Sequence, residues 1–174
     1  MSSTDESLKA NAEFARDFEL GSLPKQPAKK LAIIACMDAR LTVEQILGLQ
    51  TGDAHIIRNA GGIVSDDALR SLIISNHLLG TKEILVINHT DCGMLTFKDQ
   101  DLREKLVAAT GVDATAPAHF HTFSDLAENV RQQVKRVKSH PWIPKEISVR
   151  GLIYDVKTGQ LNPVAEELEK EQVG

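Results

Sequence analysis

Two short segments of the chain hold the residues best suited to chemistry. Residues 35–40 read Ala-Cys-Met-Asp-Ala-Arg and contain Cys36, and residues 89–93 read His-Thr-Asp-Cys-Gly and contain His89 and Cys92. Two thiolates and one imidazole are three of the four ligands that zinc prefers in a tetrahedral site, and a catalytic site leaves the fourth position for water. We therefore interpret Cys36, His89 and Cys92 as the ligands of a zinc ion.

Each segment follows directly on an apolar run that is typical of a buried strand. Residues 31–35 read Leu-Ala-Ile-Ile-Ala and residues 84–87 read Ile-Leu-Val-Ile, without the alternation of a strand that faces water on one side. Parallel neighbouring strands end at the same edge of a sheet, where open α/β folds bind their ligands. We expect these two strands to be neighbours and to bring the three proposed zinc ligands together.

Other interpretations of the two cysteines stay open on the residues alone. Either cysteine is compatible with an inert core position, since a buried cysteine packs as a small apolar side chain. The pair is also compatible with a redox dithiol, provided that the two residues lie close enough for a disulfide. A closed structural zinc site is less suitable, because no further Cys or His is well placed and the candidate for the fourth ligand is the carboxylate of Asp38.

A carboxylate and a guanidinium follow the first proposed ligand. Asp38 lies two residues after Cys36, and Arg40 lies two residues further on. An exposed ion pair of this kind often contributes little to stability. Beside zinc, however, Arg40 would keep Asp38 ionised and turned away from the metal, and Asp38 would accept a hydrogen bond from a zinc-bound hydroxide and orient its oxygen toward substrate. We therefore predict that Asp38 and Arg40 are catalytic residues.

A third segment, residues 58–62, reads Arg-Asn-Ala-Gly-Gly and follows a predicted strand at residues 54–57. Paired glycines are common in ordinary turns, but they also let the backbone approach a ligand closely. We predict that Ala60, Gly61 and Gly93 line a narrow pocket for a small linear substrate. A peptide N–H near Gly61 would hold one end of that substrate.

In this order and spacing, the three segments resemble the β-class carbonic anhydrases, particularly their short microbial branch. The resemblance covers roughly residues 30–160. It implies a zinc enzyme that hydrates carbon dioxide reversibly to bicarbonate by a zinc-bound hydroxide, and that assembles into dimers or larger oligomers. It further implies a switch in which Asp38, when Arg40 releases it, occupies the open metal position.

Two alternative functions remain at this stage. The same branch includes enzymes that hydrolyse carbonyl sulfide or carbon disulfide, so a carbonyl sulfide hydrolase that yields hydrogen sulfide and carbon dioxide is the first alternative. The second, of another class, is a non-catalytic protein that senses zinc or redox state. A sensor has no need of the Asp38 and Arg40 pair, which favours an enzyme.

Composition favours one globular domain without a nucleic-acid or membrane partner. The chain has 174 residues, of which 42% are hydrophobic and 25% charged, a size that buries one core. A net charge of −4 and scattered basic residues argue against a nucleic-acid surface. We see no signal-peptide pattern and no run of the ~18 apolar residues that a membrane span needs, so we expect a cytoplasmic protein.

The alternation of strand and helix patterns predicts an α/β fold, a single doubly wound domain with a mainly parallel central sheet and an antiparallel edge strand. Helices are expected at residues 41–49, 65–79 and 98–109, and from Asp125 to a point before Pro141. An irregular insert is expected at 111–123, and two final strands at 148–155 and 161–164 form a hairpin.

The two ends of the chain are predicted to lie outside the central fold. Ser3 to Glu6 suggest a capping box, and the apolar residues from Leu8 to Leu20 share a loose helical face. We predict that residues 1–24, a helix and linker, pack on a partner subunit in a homodimer or a dimer of dimers. Residues 166–174 are predicted to be a charged tail.

Overall fold

A computed structural model describes residues 1–165, so the predicted tail at 166–174 lies outside the described residues. The helices and strands follow in the order α1 (Ser3–Phe14), β1 (Leu31–Cys36), α2 (Val43–Leu47), β2 (Ala54–Asn59), α3 (Asp66–Leu79), β3 (Glu83–His89), α4 (Asp99–Thr110), α5 (Leu126–Ser139), β4 (Ser148–Tyr154) and β5 (Leu161–Pro163). Among them, no helix combines the length and the apolar character that crossing a membrane requires.

The strands form one sheet in the order β2-β1-β3-β4-β5. The first four strands are parallel, and β5 pairs antiparallel with β4, which confirms the predicted mixed sheet and its terminal hairpin. The strands β1 and β3 are neighbours, with Ala35 opposite Ile87. Their carboxyl ends therefore meet at one edge of the sheet, as the apolar runs before the proposed ligands led us to expect.

Apolar side chains cover both faces of the central strands. On one face, Ile34 and Val86 pack with Leu72 of α3 and Val130 of α5. On the other face, residues of β1 and β3 pack with Val43 of α2 and with side chains of the loop after it. Burial on both faces explains why β1 and β3 are continuously apolar in sequence, and helices on both sides confirm the doubly wound arrangement.

The helix α5 packs directly over Gly151 of β4. A Cβ atom added at Gly151 would overlap Val130 and lie 3.1 Å from Val134 Cγ2. These two valines are buried against the sheet. The absent side chain therefore lets α5 approach the strands, which also brings the polar residues of α5 near the end of β3.

The end of α3 is as predicted, whereas α2 is shorter than predicted. The helix α3 begins after the N-cap Ser65 and ends at Gly80, which has a left-handed backbone. The sequence predicted a helix over residues 41–49, but α2 ends at Leu47, because Gly48 already adopts a left-handed conformation with φ of +64°. An isolated glycine in an apolar pattern was therefore a helix terminator.

The N-terminal helix differs from the prediction at both ends. Its capping box begins at Ser2, whose Oγ accepts a hydrogen bond from Asp5 N at 3.2 Å while Asp5 Oδ2 accepts from Ser2 N at 2.9 Å. The extended backbone of Ser2 makes it the N-cap in place of Ser3. The helix ends at Phe14, and no residue of α1 is buried.

Candidate metal centre

The three proposed ligands meet at the carboxyl ends of β1 and β3. Cys36 is the last residue of β1, His89 is the last residue of β3, and Cys92 follows in the next loop. All three are buried, and their ligand atoms lie within 4.8 Å of one another. The structure thus brings together two sulfurs and one imidazole from segments that are far apart in sequence.

The imidazole of His89 is oriented for a ligand at Nε2. Its Nδ1 lies 2.8 Å from Thr90 O, and because a carbonyl only accepts hydrogen bonds, Nδ1 carries the proton. The buried Nε2 has no hydrogen-bond partner. A buried polar atom without a partner is costly, and a metal ion bound at Nε2 would satisfy it. The site therefore fits a thiolate- and imidazole-binding divalent metal.

The two thiols influence each other strongly. The hydrogen bond from the Cys92 thiol lowers the pKa of Cys36, and backbone N–H groups of Asp38 and Gly61 lower it further. The same pairing with Cys36, together with burial, raises the pKa of Cys92. The metal-free pair thus favours one thiolate and one thiol, and a metal ion must displace the proton of Cys92.

The charge of the Cys36 thiolate also acts on the histidine. Burial, the largest single influence, would lower the pKa of His89, but Cys36, the carbonyl of Thr90 and the charge of Asp38 together outweigh burial and raise this pKa. The concentration of negative charge in a buried site attracts a cation. Because zinc binding requires a neutral imidazole and thiolates, a divalent metal ion would compete with protons for this site.

Arg40 binds Asp38 at two points. Arg40 Nε donates to Asp38 Oδ1 at 2.9 Å, and Arg40 Nη2 donates to Asp38 Oδ2 at 2.8 Å. The backbone N–H of Arg40 also donates to Asp38 Oδ1, and these bonds hold the pKa of Asp38 well below its usual range. Asp38 Oδ2 lies 3.8 Å from His89 Nε2. An ionised carboxylate therefore stands beside the position of the proposed metal.

A second carboxylate, which we did not identify from the sequence, binds the other side of Arg40. Arg40 Nη1 donates to Asp91 Oδ2 at 2.8 Å, and Arg40 Nη2 donates to Asp91 O at 3.0 Å. Asp91 has a left-handed backbone with φ of +56°, which is uncommon outside glycine. In the sequence, the one signal for a role of Asp91 was its position between the proposed ligands His89 and Cys92. Asp91 thus ties Arg40 to the loop that carries Cys92.

A second arginine supports the loop between the first ligand and the carboxylate. Arg58 Nε donates to Cys36 O at 3.1 Å, and Arg58 Nη2 donates to Asp38 O at 2.7 Å. From the sequence we assigned Arg58 to a turn and gave it no role, but it lies within β2, one residue before the end of the strand. Its side chain fixes the backbone that presents Cys36 and Asp38.

The predicted pocket residues occupy different surroundings. Ala60 packs against the apolar cluster that contains both cysteines. Gly61 is buried in the same region, and its backbone N–H helps to lower the pKa of Cys36. Gly93 is exposed and begins a 3-10 turn just after Cys92. The structure thus places all three residues near the proposed ligands.

Comparison with known proteins identifies relatives for nearly the whole chain. A family model described as carbonic anhydrase matches residues 31–161. Beta-carbonic anhydrase 1 of Mycobacterium tuberculosis is 48% identical over 164 residues, which cover 94% of this chain and 99% of the relative. The crystal structure of carbonic anhydrase from Streptococcus mutans superposes with a TM-score of 0.89 at 45% identity, and the match covers 95% of this chain and 99% of the other.

Another relative acts on a different small molecule. The carbon disulfide hydrolase of Acidianus is 37% identical over 155 residues, which cover 76% of this chain and 76% of the relative. The same framework is therefore found in proteins named for two substrates.

We expect zinc to stabilise the metal-free protein through His89. At a free zinc concentration 100 times the dissociation constant, binding to the folded state adds about 2.7 kcal/mol to the free energy of unfolding. The variant His89→Gln should lose most of this increase, whereas His77→Gln, at an exposed histidine of α3, should keep it. Thermal unfolding with and without zinc measures the difference. Equal stabilisation of both variants would exclude His89 as a ligand.

Proposed function

We propose that this chain, which belongs to the β-class carbonic anhydrase family, is a zinc-dependent enzyme that hydrates carbon dioxide reversibly to bicarbonate and a proton. One observation carries the proposal. Two sulfurs and an unpaired imidazole nitrogen converge within 4.8 Å, with an arginine-bound carboxylate beside them. The family resemblance inferred from the sequence is confirmed by the family model and by the relatives.

In this proposal, Cys36, His89 and Cys92 hold zinc through two Sγ atoms and Nε2. A bound zinc ion supplies an acidified water for attack on the carbon of the substrate. Asp38 accepts a hydrogen bond from the attacking water, which directs an oxygen lone pair toward the substrate. Arg40 keeps Asp38 ionised, so that Asp38 acts only as an acceptor.

The surroundings of the ligands suit a small apolar substrate. Side chains of Leu41, Met94 and Phe123 pack in the cluster that includes both cysteines. Such a wall excludes water and strengthens the electrostatic interactions at the site. We propose that Ala60 and Gly61, with Gly93 at the open side, complete the binding place of carbon dioxide.

The variant Asp38→Asn tests the catalytic role of the carboxylate. The asparagine amide has a similar shape, but its Nδ2 atom donates hydrogen bonds where the carboxylate accepts them. The amide therefore neither orients the attacking water in one way nor forms the charged pair with Arg40. We expect kcat/KM for carbon dioxide hydration by the zinc-loaded protein to fall by about 10–100-fold, measured by stopped flow with a pH indicator.

A matched control for Asp38→Asn is Asp67→Asn. Asp67 also pairs with an arginine, since Arg70 Nη2 donates to it at 2.6 Å, but the pair lies on the exposed surface of α3. This variant should hydrate carbon dioxide at the wild-type rate. Equal activity of both variants would remove Asp38 from the mechanism.

We expect carbon dioxide hydration to become faster as the pH rises above neutrality. Cys36 and Cys92, as thiolates, offset the double positive charge of zinc, so they leave the attacking water less acidic than a set of neutral ligands would. Since Arg40 holds the pKa of Asp38 below its usual range, Asp38 remains ionised throughout and adds no inflection near neutrality. Stopped-flow rates across the neutral and alkaline range test this, and a profile that is flat or falling contradicts it.

The carbon disulfide hydrolase relative favours one alternative substrate class. Carbonyl sulfide and carbon disulfide are linear molecules with an electrophilic central carbon, as is carbon dioxide. Hydrolysis of carbonyl sulfide by one water yields hydrogen sulfide and carbon dioxide. Faster turnover of either sulfur compound than of carbon dioxide would reassign the substrate without changing the metal centre. The non-catalytic sensor has no comparable support, because the relatives are enzymes.

We also propose that the protein functions as a homodimer or a dimer of dimers in the cytoplasm. In α1 and the segment after it, Leu8 is 65% exposed and Phe14 is 63% exposed, and a partner subunit would cover them. Proteins of the same fold from Sordaria macrospora, at 20% identity, are described as tetrameric beta-carbonic anhydrases. Cys36 and Cys92 are free, and free thiols are typical of a reducing compartment such as the cytoplasm.

Deletion of residues 1–24 should reduce the size of the assembly. If the apolar arm packs on a second subunit, its removal takes away part of the buried interface while the sheet and the metal ligands remain. Light scattering of the full and shortened chains measures the mass of each. An unchanged number of subunits would show that the assembly does not depend on the arm, and a monomeric full-length chain would exclude the assembly itself.

A further inference from the structure

Three side-chain amides form a continuous hydrogen-bonded chain inside the core, next to the metal centre. Gln133 Nε2 donates to Asn129 Oδ1 at 3.0 Å, and Asn129 Nδ2 donates to Asn88 Oδ1 at 2.7 Å. Their exposed fractions are 9% for Gln133, 5% for Asn129 and 1% for Asn88. Buried amides cost free energy unless they are paired, so their presence calls for a structural reason.

Both ends of this amide chain bind the turn that follows β2. At one end, the backbone N–H of Val64 donates to Gln133 Oε1 at 2.9 Å. At the other end, Asn88 Nδ2 donates to Gly61 O at 2.9 Å and to Gly62 O at 3.3 Å. Because a peptide N–H only donates and a carbonyl only accepts, the two ends fix the orientation of every amide between them.

The turn that the amide chain holds is in close contact with Cys36. Gly62 has φ of +61°, and a Cβ atom there would lie 2.7 Å from Asn88 Nδ2 and 3.0 Å from Cys36 N. The same added Cβ atom would lie 3.0 Å from Ile87 O, so the turn is packed directly against the backbone of both β1 and β3. Any outward movement of the turn would therefore remove the backbone contact that holds Cys36, one of the proposed metal ligands, in place.

We propose that Asn88, Asn129 and Gln133 are positioning residues of the metal centre, which hold the Gly61–Gly62 turn against Cys36. The three side chains act through the turn, and none of them is assigned to substrate or metal. The proposal rests on the proposed metal site. It predicts that a break in the amide chain loosens the turn and changes the metal centre, even when the break lies in α5.

The variant Asn129→Ala breaks the amide chain at its middle. The Asn129 side chain bonds to neither the turn nor any proposed ligand. Its loss nevertheless leaves Asn88 Oδ1 without a donor and Gln133 Nε2 without an acceptor. We expect hydrogen exchange of the Gly61 and Val64 amides, followed by NMR, to become at least about tenfold faster. Zinc release to a chelator should accelerate by about 10–100-fold, as for other groups that orient metal ligands. The thiolate-to-metal band of the cobalt-substituted protein should shift.

The control variant is Asn76→Ala, at another nearly buried asparagine. Asn76 Nδ2 donates to Thr81 O at 2.8 Å at the carboxyl end of α3, away from the amide chain. Its removal should lower the free energy of unfolding without affecting zinc release, cobalt spectrum or exchange of Gly61. A second break, Gln133→Met, keeps the length of the side chain and removes its hydrogen bonds, so it should reproduce the effects of Asn129→Ala even if that variant folds poorly.

The outcomes separate this inference from the proposed function. If Asn129→Ala and Gln133→Met match the control in exchange at Gly61 and Val64, the positioning role is excluded, whatever the metal does. If exchange accelerates but zinc release and the cobalt spectrum do not change, the amide chain holds the turn without influence on the metal centre, which also overturns the proposal. If the wild-type protein binds no zinc, the proposed function fails, and with it the role toward the metal.

Discussion

The structure depends on keeping two sulfurs and an imidazole nitrogen close together in a buried place. Parallel pairing of β1 and β3 brings these ligand atoms together, because both strands end at the same edge of the sheet. The arrangement is unfavourable without a cation, since it concentrates negative charge and leaves His89 Nε2 without a partner. Much of the surrounding structure holds the two sulfurs and His89 Nε2 in place, where a metal ion would bind all three.

Two arginines support the site in complementary ways. Arg58 bonds to backbone carbonyls and fixes the path of the loop, whereas Arg40 bonds to carboxylates and fixes a side chain. Exposed ion pairs add little stability, but charge-assisted bonds with paired geometry orient groups well. Asp91 gives Arg40 a second anchor, so that Arg40 can hold Asp38 in one position. The value of these contacts lies in orientation more than in the free energy of unfolding.

The sequence predicted those features that follow from residue type and local pattern. Continuous apolar runs predicted the central strands, and residue chemistry predicted that Cys36, His89 and Cys92 would come together, as they do in the structure. The role of Asp91 was not predictable, because only the fold brings it to Arg40. The same is true of Asn88 and Asn129, which are separated by 41 residues and resemble ordinary polar residues of a strand and a helix.

The last two residues of β3 show how one strand serves both the core and the site. Successive side chains of a strand point to opposite faces. Asn88 accordingly points, like Val86, to the layer of α5, where it meets Asn129, while His89 faces the other way, toward the cysteines. The amide chain and the imidazole are thus fixed by the same short piece of backbone. Asn88 is a polar residue in the core and costs free energy relative to an apolar residue. This cost is consistent with a need to place the neighbouring proposed ligand, His89, in one position.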